Sequence, residues 1–113
     1  MVKIYGIKNC GSVKKALNFL ESQGIPYEFV DFKTTPPTSK NLEFWLQFVG
    51  IEVLLNKKGT TYKRLNLKDK NLTLAEAKEW LIKEPMLIKR PVIEVKNRVI
   101  VGFCEESYQQ VQW

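Results

Sequence analysis

Apolar and polar residues alternate over Val2-Lys3-Ile4-Tyr5 and stop at Gly6, the pattern of a first strand with one buried face. From Ser12 the period changes. Val13, Ala16, Leu17 and Leu20 fall on one helical face, and Gly24 marks the end of that helix. Pro26 leads into a second short strand over residues 27–32. Thr34-Thr35-Pro36-Pro37 reads as a loop. Thr38 or Ser39 can then cap a helix carrying Leu42, Trp45, Leu46 and Val49, closed by Gly50. The capping box Thr73-x-x-Glu76 opens a further helix expected to bury Leu74, Ala77, Trp80 and Leu81, and Pro85 closes it. Residues 92–95 and 99–101 form two strands joined through Lys96-Asn97-Arg98, most simply an antiparallel hairpin. A short last helix begins near Glu105.

The predicted order is β-α-β, a helical insert over about residues 34–85, then β-β-α. A β-α-β crossover gives two parallel strands with a right-handed connection, and the hairpin extends the same sheet. The expectation is an α/β protein with a thioredoxin-like mixed four-stranded sheet and helices on both faces. A length of 113 residues suits one domain, 1–113, and no repeat, linker or low-complexity segment divides it. No apolar run approaches the ~20 residues of a membrane helix, and the chain starts directly on a strand pattern rather than a signal region. Histidine is absent, which excludes a His-ligated metal, a His general base and a Ser-His-Asp triad. The only cysteines, Cys10 and Cys104, are too few and too far apart for a secreted disulfide framework. A soluble cytoplasmic protein is expected, with no membrane partner.

Charge changes this picture at one place. Residues 56–70 hold Lys57, Lys58, Lys63, Arg64, Lys68 and Lys70 against the single anion Asp69, so most of the net charge of +6 lies there. The segment is either a patch for nucleic acid, an acidic protein or an anionic small molecule, or a solvated lysine-rich loop. Lysine dominates over arginine and no aromatic ladder interleaves the cations, which argues against nucleic acid.

Cys10 falls between the first strand and the first helix. Unpaired N–H groups and the positive end of the helix dipole favour a thiolate there, and Lys8, Lys14 and Lys15 add positive potential. A thiolate is both nucleophile and leaving group at neutral pH. The other reading of Cys10 is a small buried side chain. Cys10-Gly11-Ser12-Val13 occupies the place of a C-x-x-C motif but lacks its second cysteine, so a two-thiol cycle within the motif is excluded.

Three stretches together carry a resemblance. They are Lys3-Ile4-Tyr5-Gly6-Ile7-Lys8-Asn9-Cys10 with Val13-Lys14-Lys15-Ala16, then Leu54-Leu55-Asn56-Lys57-Lys58-Gly59-Thr60-Thr61-Tyr62, then Leu87-Ile88-Lys89-Arg90-Pro91-Val92. In this order they resemble the arsenate reductase (ArsC) family, and more closely its YffB-like branch, next to the Spx regulators. The resemblance implies a thioredoxin-like fold with a helical insert and Cys10 as the working thiol. It also implies that Arg90 is one of the arginines that bind an oxyanion beside the cysteine, and that the Arg90–Pro91 bond is cis. The other arginine positions fall at Asn56, beside Lys57, and near Gly102. Asn and Gly cannot replace the guanidinium fork, which argues against arsenate as substrate.

Gly102-Phe103-Cys104-Glu105 leads from the last strand into the last helix, similar to the Gly-rich turn with which glutaredoxins receive the amino-acid end of glutathione. Cys104 is then either a resolving thiol or a small N-cap residue. The reading that results is a glutathione-dependent thiol oxidoreductase. Cys10 and Arg90 are catalytic, and Lys8, Asn9, Gly11, Ser12, Asn56, Lys57, Pro91, Gly102 and Cys104 bind substrate. No metal or bound cofactor is implied; glutathione is a co-substrate and a glutaredoxin a potential partner. The alternative is a Spx-like regulator that binds the RNA polymerase α subunit without turnover, with residues 56–70 as its contact surface.

Overall fold

In the computed structural model, which describes residues 1–113, strand β1 (Val2–Gly6) leads through a short turn into helix α1 (Gly11–Ser22) and returns as β2 (Tyr27–Asp31). Four helices follow: α2 (Ser39–Leu46), α3 (Ile51–Leu54), α4 (Thr60–Arg64) and α5 (Leu74–Lys83). The hairpin β3 (Val92–Val95) and β4 (Arg98–Val101) and a final helix α6 (Glu105–Gln109) complete the chain. The strands lie in the order β2-β1-β3-β4. β1 runs parallel to β2 with Ile4 opposite Phe29, and antiparallel to β3 with Ile4 opposite Ile93. β4 pairs antiparallel with β3, so it points the same way as β1. This is the thioredoxin-like arrangement.

The chain forms two compact units, one of residues 1–35 with 90–113, the other of residues 36–89. In the first, strand alternation sends Val2 and Ile4 of β1 and Ile93 and Val95 of β3 to one face of the sheet. Ala16, Phe19 and Leu20 of α1 and Tyr108 of α6 bury them there. Each fully buried aliphatic side chain contributes about 1.5–3 kcal/mol. Gly6 permits the close approach of α1, because a Cβ at that position would stand 2.7 Å from Val13 Cγ2.

In the second unit, Thr38 and Asn41 exchange backbone-to-side-chain bonds of 2.9 and 3.2 Å at the start of α2. Thr73 and Glu76 do the same at α5, at 3.0 and 3.2 Å. Leu55 bridges to Ile88, with Asn56 N–H on Leu87 O and Lys89 N–H on Leu54 O.

Some local expectations need correction. α2 ends at Leu46, and Val49 continues it only as a turn onto Trp45 O. Leu74 is 54% exposed: it is the first residue of α5, at the rim of a cleft, with no preceding turn to cover it. Trp80 is half-buried rather than buried, and its ring carries Lys83 Nζ at 5.1 Å. The hairpin turn is tighter than the sequence suggests, because Val95 pairs directly with Arg98 and Lys96 takes φ +52°. The basic stretch is not a plain loop. It contains α4 and a 3-10 turn (Leu67–Lys70), flanked by Asn66 and Asn71 in the left-handed region that asparagine tolerates, and anchored by buried Leu67. Its six cations are all exposed. No helix is long and apolar enough to cross a membrane.

Candidate active site

Cys10 is the N-cap of α1. Its backbone is extended (φ −98°, ψ 125°), its N–H donates to Ile7 O, and its carbonyl accepts from Lys14 N–H at 3.0 Å. The sulfur is half-buried, while Lys8, Asn9, Gly11 and Ser12 around it are exposed. At Gly11 nothing lies within 4 Å of where a Cβ would stand, so the approach beside the sulfur is open.

Burial pushes the Cys10 thiol up, but several groups pull the other way and the net direction is down. They are the Val13 N–H, then the hydrogen bond and positive charge of Arg90, then the Ser12 N–H. The sulfur makes no capping hydrogen bond of ordinary geometry. The effect of the two N–H groups is therefore on the charged sulfur, whose attraction to a dipole reaches further than a neutral thiol's bond. The site thus favours ionised sulfur with a cationic side chain beside it, in a position a substrate can reach.

Arg90 reaches Cys10 from the entrance to β3. It is half-buried and followed by buried Pro91, and the peptide bond between them is cis, as expected. Pro91 O accepts from Gly102 N–H at 2.8 Å. Gly102 is buried at φ +84°, and its carbonyl accepts the Tyr108 hydroxyl at 2.6 Å. Gly102 N–H therefore already has a partner, so this donor is not open to a ligand carboxylate.

Cys104 caps α6 and is exposed. The Ser107 hydroxyl and N–H and the Glu106 N–H draw its thiol down, against the carboxylate of Glu106. Both cysteines are free thiols.

The structure thus gathers Cys10, Ser12, Arg90, Pro91 and Gly102 at one end of the first unit. Asn56 and Lys57 lie in the second. Asn56 is half-buried and its carbonyl accepts from Gly59 N–H, while Lys57 is exposed along a cleft with Glu52, Val53 and Lys58. No three His, Cys, Asp or Glu side chains cluster to hold a metal. The Val13 and Ser12 N–H groups are helix-start donors of the kind the sequence implied. Tyr108 carries almost no sequence signal, reading only as an aromatic residue in a short helix.

The ArsC family pattern matches residues 5–111. A solved YffB protein superposes with a TM-score of 0.91 at 34% identity, covering 97% of each chain. An arsenate reductase (ArsC) related protein from Brucella melitensis is 40% identical, with a TM-score of 0.78 over 96% of this chain and 92% of its own. The global transcriptional regulator Spx of Listeria innocua is 28% identical over 112 residues, 97% of this chain and 86% of its own.

Proposed function

The chain belongs to the ArsC family, is related to YffB and to Spx, and has the fold of thiol oxidoreductases; from that premise we propose that it is a thiol-disulfide oxidoreductase working through Cys10. One observation carries the reading: the half-buried sulfur at the start of α1 sits against the Arg90 guanidinium and two helix N–H groups, which together favour the thiolate. In the proposed reaction the Cys10 thiolate attacks the glutathionyl sulfur of a mixed disulfide R–S–S–G. A Cys10–glutathione disulfide forms and R–S⁻ leaves, taking up a proton. With Val13 where the motif's second thiol would stand, we assign the release step to a thiol from outside the chain. A glutathione thiolate attacks the same glutathionyl sulfur, giving glutathione disulfide and restoring Cys10. The net exchange consumes one glutathione thiol, whose sulfur is oxidised as the R sulfur is reduced; the other half of the glutathione disulfide comes from the substrate. The stabilised thiolate is the good leaving group this second step requires.

Arg90 holds the thiolate and orients the partner, Pro91 shapes the groove, and Lys8, Asn9, Gly11 and Ser12 form its open rim. A cytoplasmic setting supplies the reduced thiol pool, with glutathione or a glutaredoxin as reductant. Arsenate turnover is expected to be very weak, because Asn56 and Gly102 offer no guanidinium.

Mass spectrometry after treatment with glutathione disulfide tests the proposal. A single adduct on Cys10, reversed by glutathione, is the expected result; adduct confined to Cys104, or none, overturns it. The likeness to Spx favours a second reading, a regulator that binds the RNA polymerase α subunit through the exposed cations of residues 56–70. Retention of that subunit on the immobilised protein, with no glutathione-linked turnover, would select it.

A further inference from the structure

Tyr108 is buried in α6, and its ring meets Phe103, Phe19 and Trp113 edge to face at centroid distances of 5.0, 5.4 and 5.5 Å. It touches both arms of the site. Phe19 belongs to α1, the helix that begins beside Cys10. On the other side the Tyr108 hydroxyl donates to Gly102 O at 2.6 Å, and Gly102 N–H donates to O of Pro91, the residue after Arg90. Burial pushes the Tyr108 hydroxyl well above its usual range, so it stays a proton donor throughout the working pH. The Trp113 indole N–H holds Tyr108 O at 3.0 Å and closes the tail over it.

We propose that Tyr108 is a positioning residue for the thiol, its hydroxyl fixing Gly102 and, through the Gly102–Pro91 bond, the placement of Arg90 against Cys10. The inference rests on Cys10 being the working thiol. Gly102 is the link with most freedom to move, because glycine at φ +84° has no side chain to hold it. Without the hydroxyl its buried carbonyl has lost a short, well-placed donor, and a buried acceptor left unsatisfied drives the backbone to rearrange. Arg90 sits just beyond that bond. A charge-assisted contact weakens as its donor moves or turns, so the thiolate loses part of its support.

The test is Tyr108→Phe, which keeps the ring packing and removes the hydroxyl. Alkylation of Cys10 by iodoacetamide is followed across pH by peptide mass spectrometry, which reads Cys10 apart from Cys104. The Cys10 rate at about pH 6 should fall about threefold, on the scale of one weakened hydrogen bond, with the profile displaced to higher pH. Added to Arg90→Ala, the same substitution should change nothing more, because its effect passes through Arg90. A parent profile centred at or above the ~8.5 of a free thiol overturns the thiol reading itself. A depressed parent profile that Tyr108→Phe leaves unchanged, even with a lower Tm, overturns the positioning role alone. Should Tyr108→Phe not fold, Trp113→Phe removes the bond to Tyr108 O and trims the ring packed against Tyr108, leaving the hydroxyl in place. A smaller displacement in the same direction then supports the proposal, and an unmoved profile overturns it.

Discussion

At Cys10 burial and ionisation pull in opposite directions, and the Arg90 guanidinium is the part of that balance a single substitution can remove. Arg90→Ala should raise the pH at which Cys10 alkylates and leave Cys104 unaffected, since the groups acting on Cys104 are on α6. Arg90→Lys should restore part of the effect, because a point charge lacks the planar fork. The same ionisation has a stability consequence with a definite sign. A thiol lowered on folding stabilises the folded state fully above its unfolded value, and this contribution is lost as pH falls through the folded value. The advantage of the parent over Cys10→Ala in urea denaturation should therefore grow as pH rises from the folded value towards the unfolded one. A flat difference would mean that folding does not lower the thiol. Gly102 sets a different residue-scale limit. Its φ of +84° strains any residue with a side chain, and its position is buried, so Gly102→Val should cost about 1–3 kcal/mol and lower Tm. Glutathionylation of Cys10 should fall with it.

Helix starts do most of the positioning at the scale of elements. α1 has no side-chain cap on its first turn; a cysteine occupies the place where Ser or Asp would bond those N–H groups, which leaves their dipoles to a charged sulfur. α2 and α5 show the opposite solution, with reciprocal bonds between Thr38 and Asn41 and between Thr73 and Glu76. Thr38→Ala removes one such bond and should destabilise by about 1 kcal/mol in denaturant titration, with no change in the slope. The Thr73–Glu76 box was readable because Glu three positions after a Thr is its local signature, whereas before α2 the sequence offered Thr38 or Ser39 as the cap and the reciprocal bond from Asn41 emerged only in the fold. The exposure of Leu74 was not readable, because periodicity marks a helix face but not what, if anything, covers its end. Likewise α4 and the 3-10 turn hide in a stretch whose composition reads mainly as charge; of its apolar residues Tyr62, Leu65 and Leu67, only Leu67 is buried.

For the whole molecule, charge is distributed as the sequence dictates. All six cations of residues 56–70 are exposed, and reversing Lys63 and Lys68 to Glu lowers the net charge by four. That pair should elute from a cation exchanger at much lower salt than the parent, and retention unchanged would show that this face is not the dominant cationic surface. The parallel pair, the antiparallel hairpin and the mixed four-stranded sheet followed from sequence because alternation, helical period and the short hairpin connection leave few topologies open, while the order of strands across the sheet was read from the fold. The place of Cys10 at a helix start was equally local, and so were the missing second thiol and the lack of histidine. Of the distant groups that meet that sulfur, Arg90 was expected from the family resemblance and from no pattern in the residues themselves; tertiary structure brings it there. Arg90 is eighty positions away along the chain and reaches Cys10 because β3 pairs with β1. Gly102 had its N–H bound to Pro91 O, and Tyr108 became the support of that link, through bonds that the fold creates and no local pattern encodes. Periodicity records which face of an element is buried, whereas a hydrogen bond between elements depends on their register and on the direction of individual carbonyls, which only the folded chain fixes.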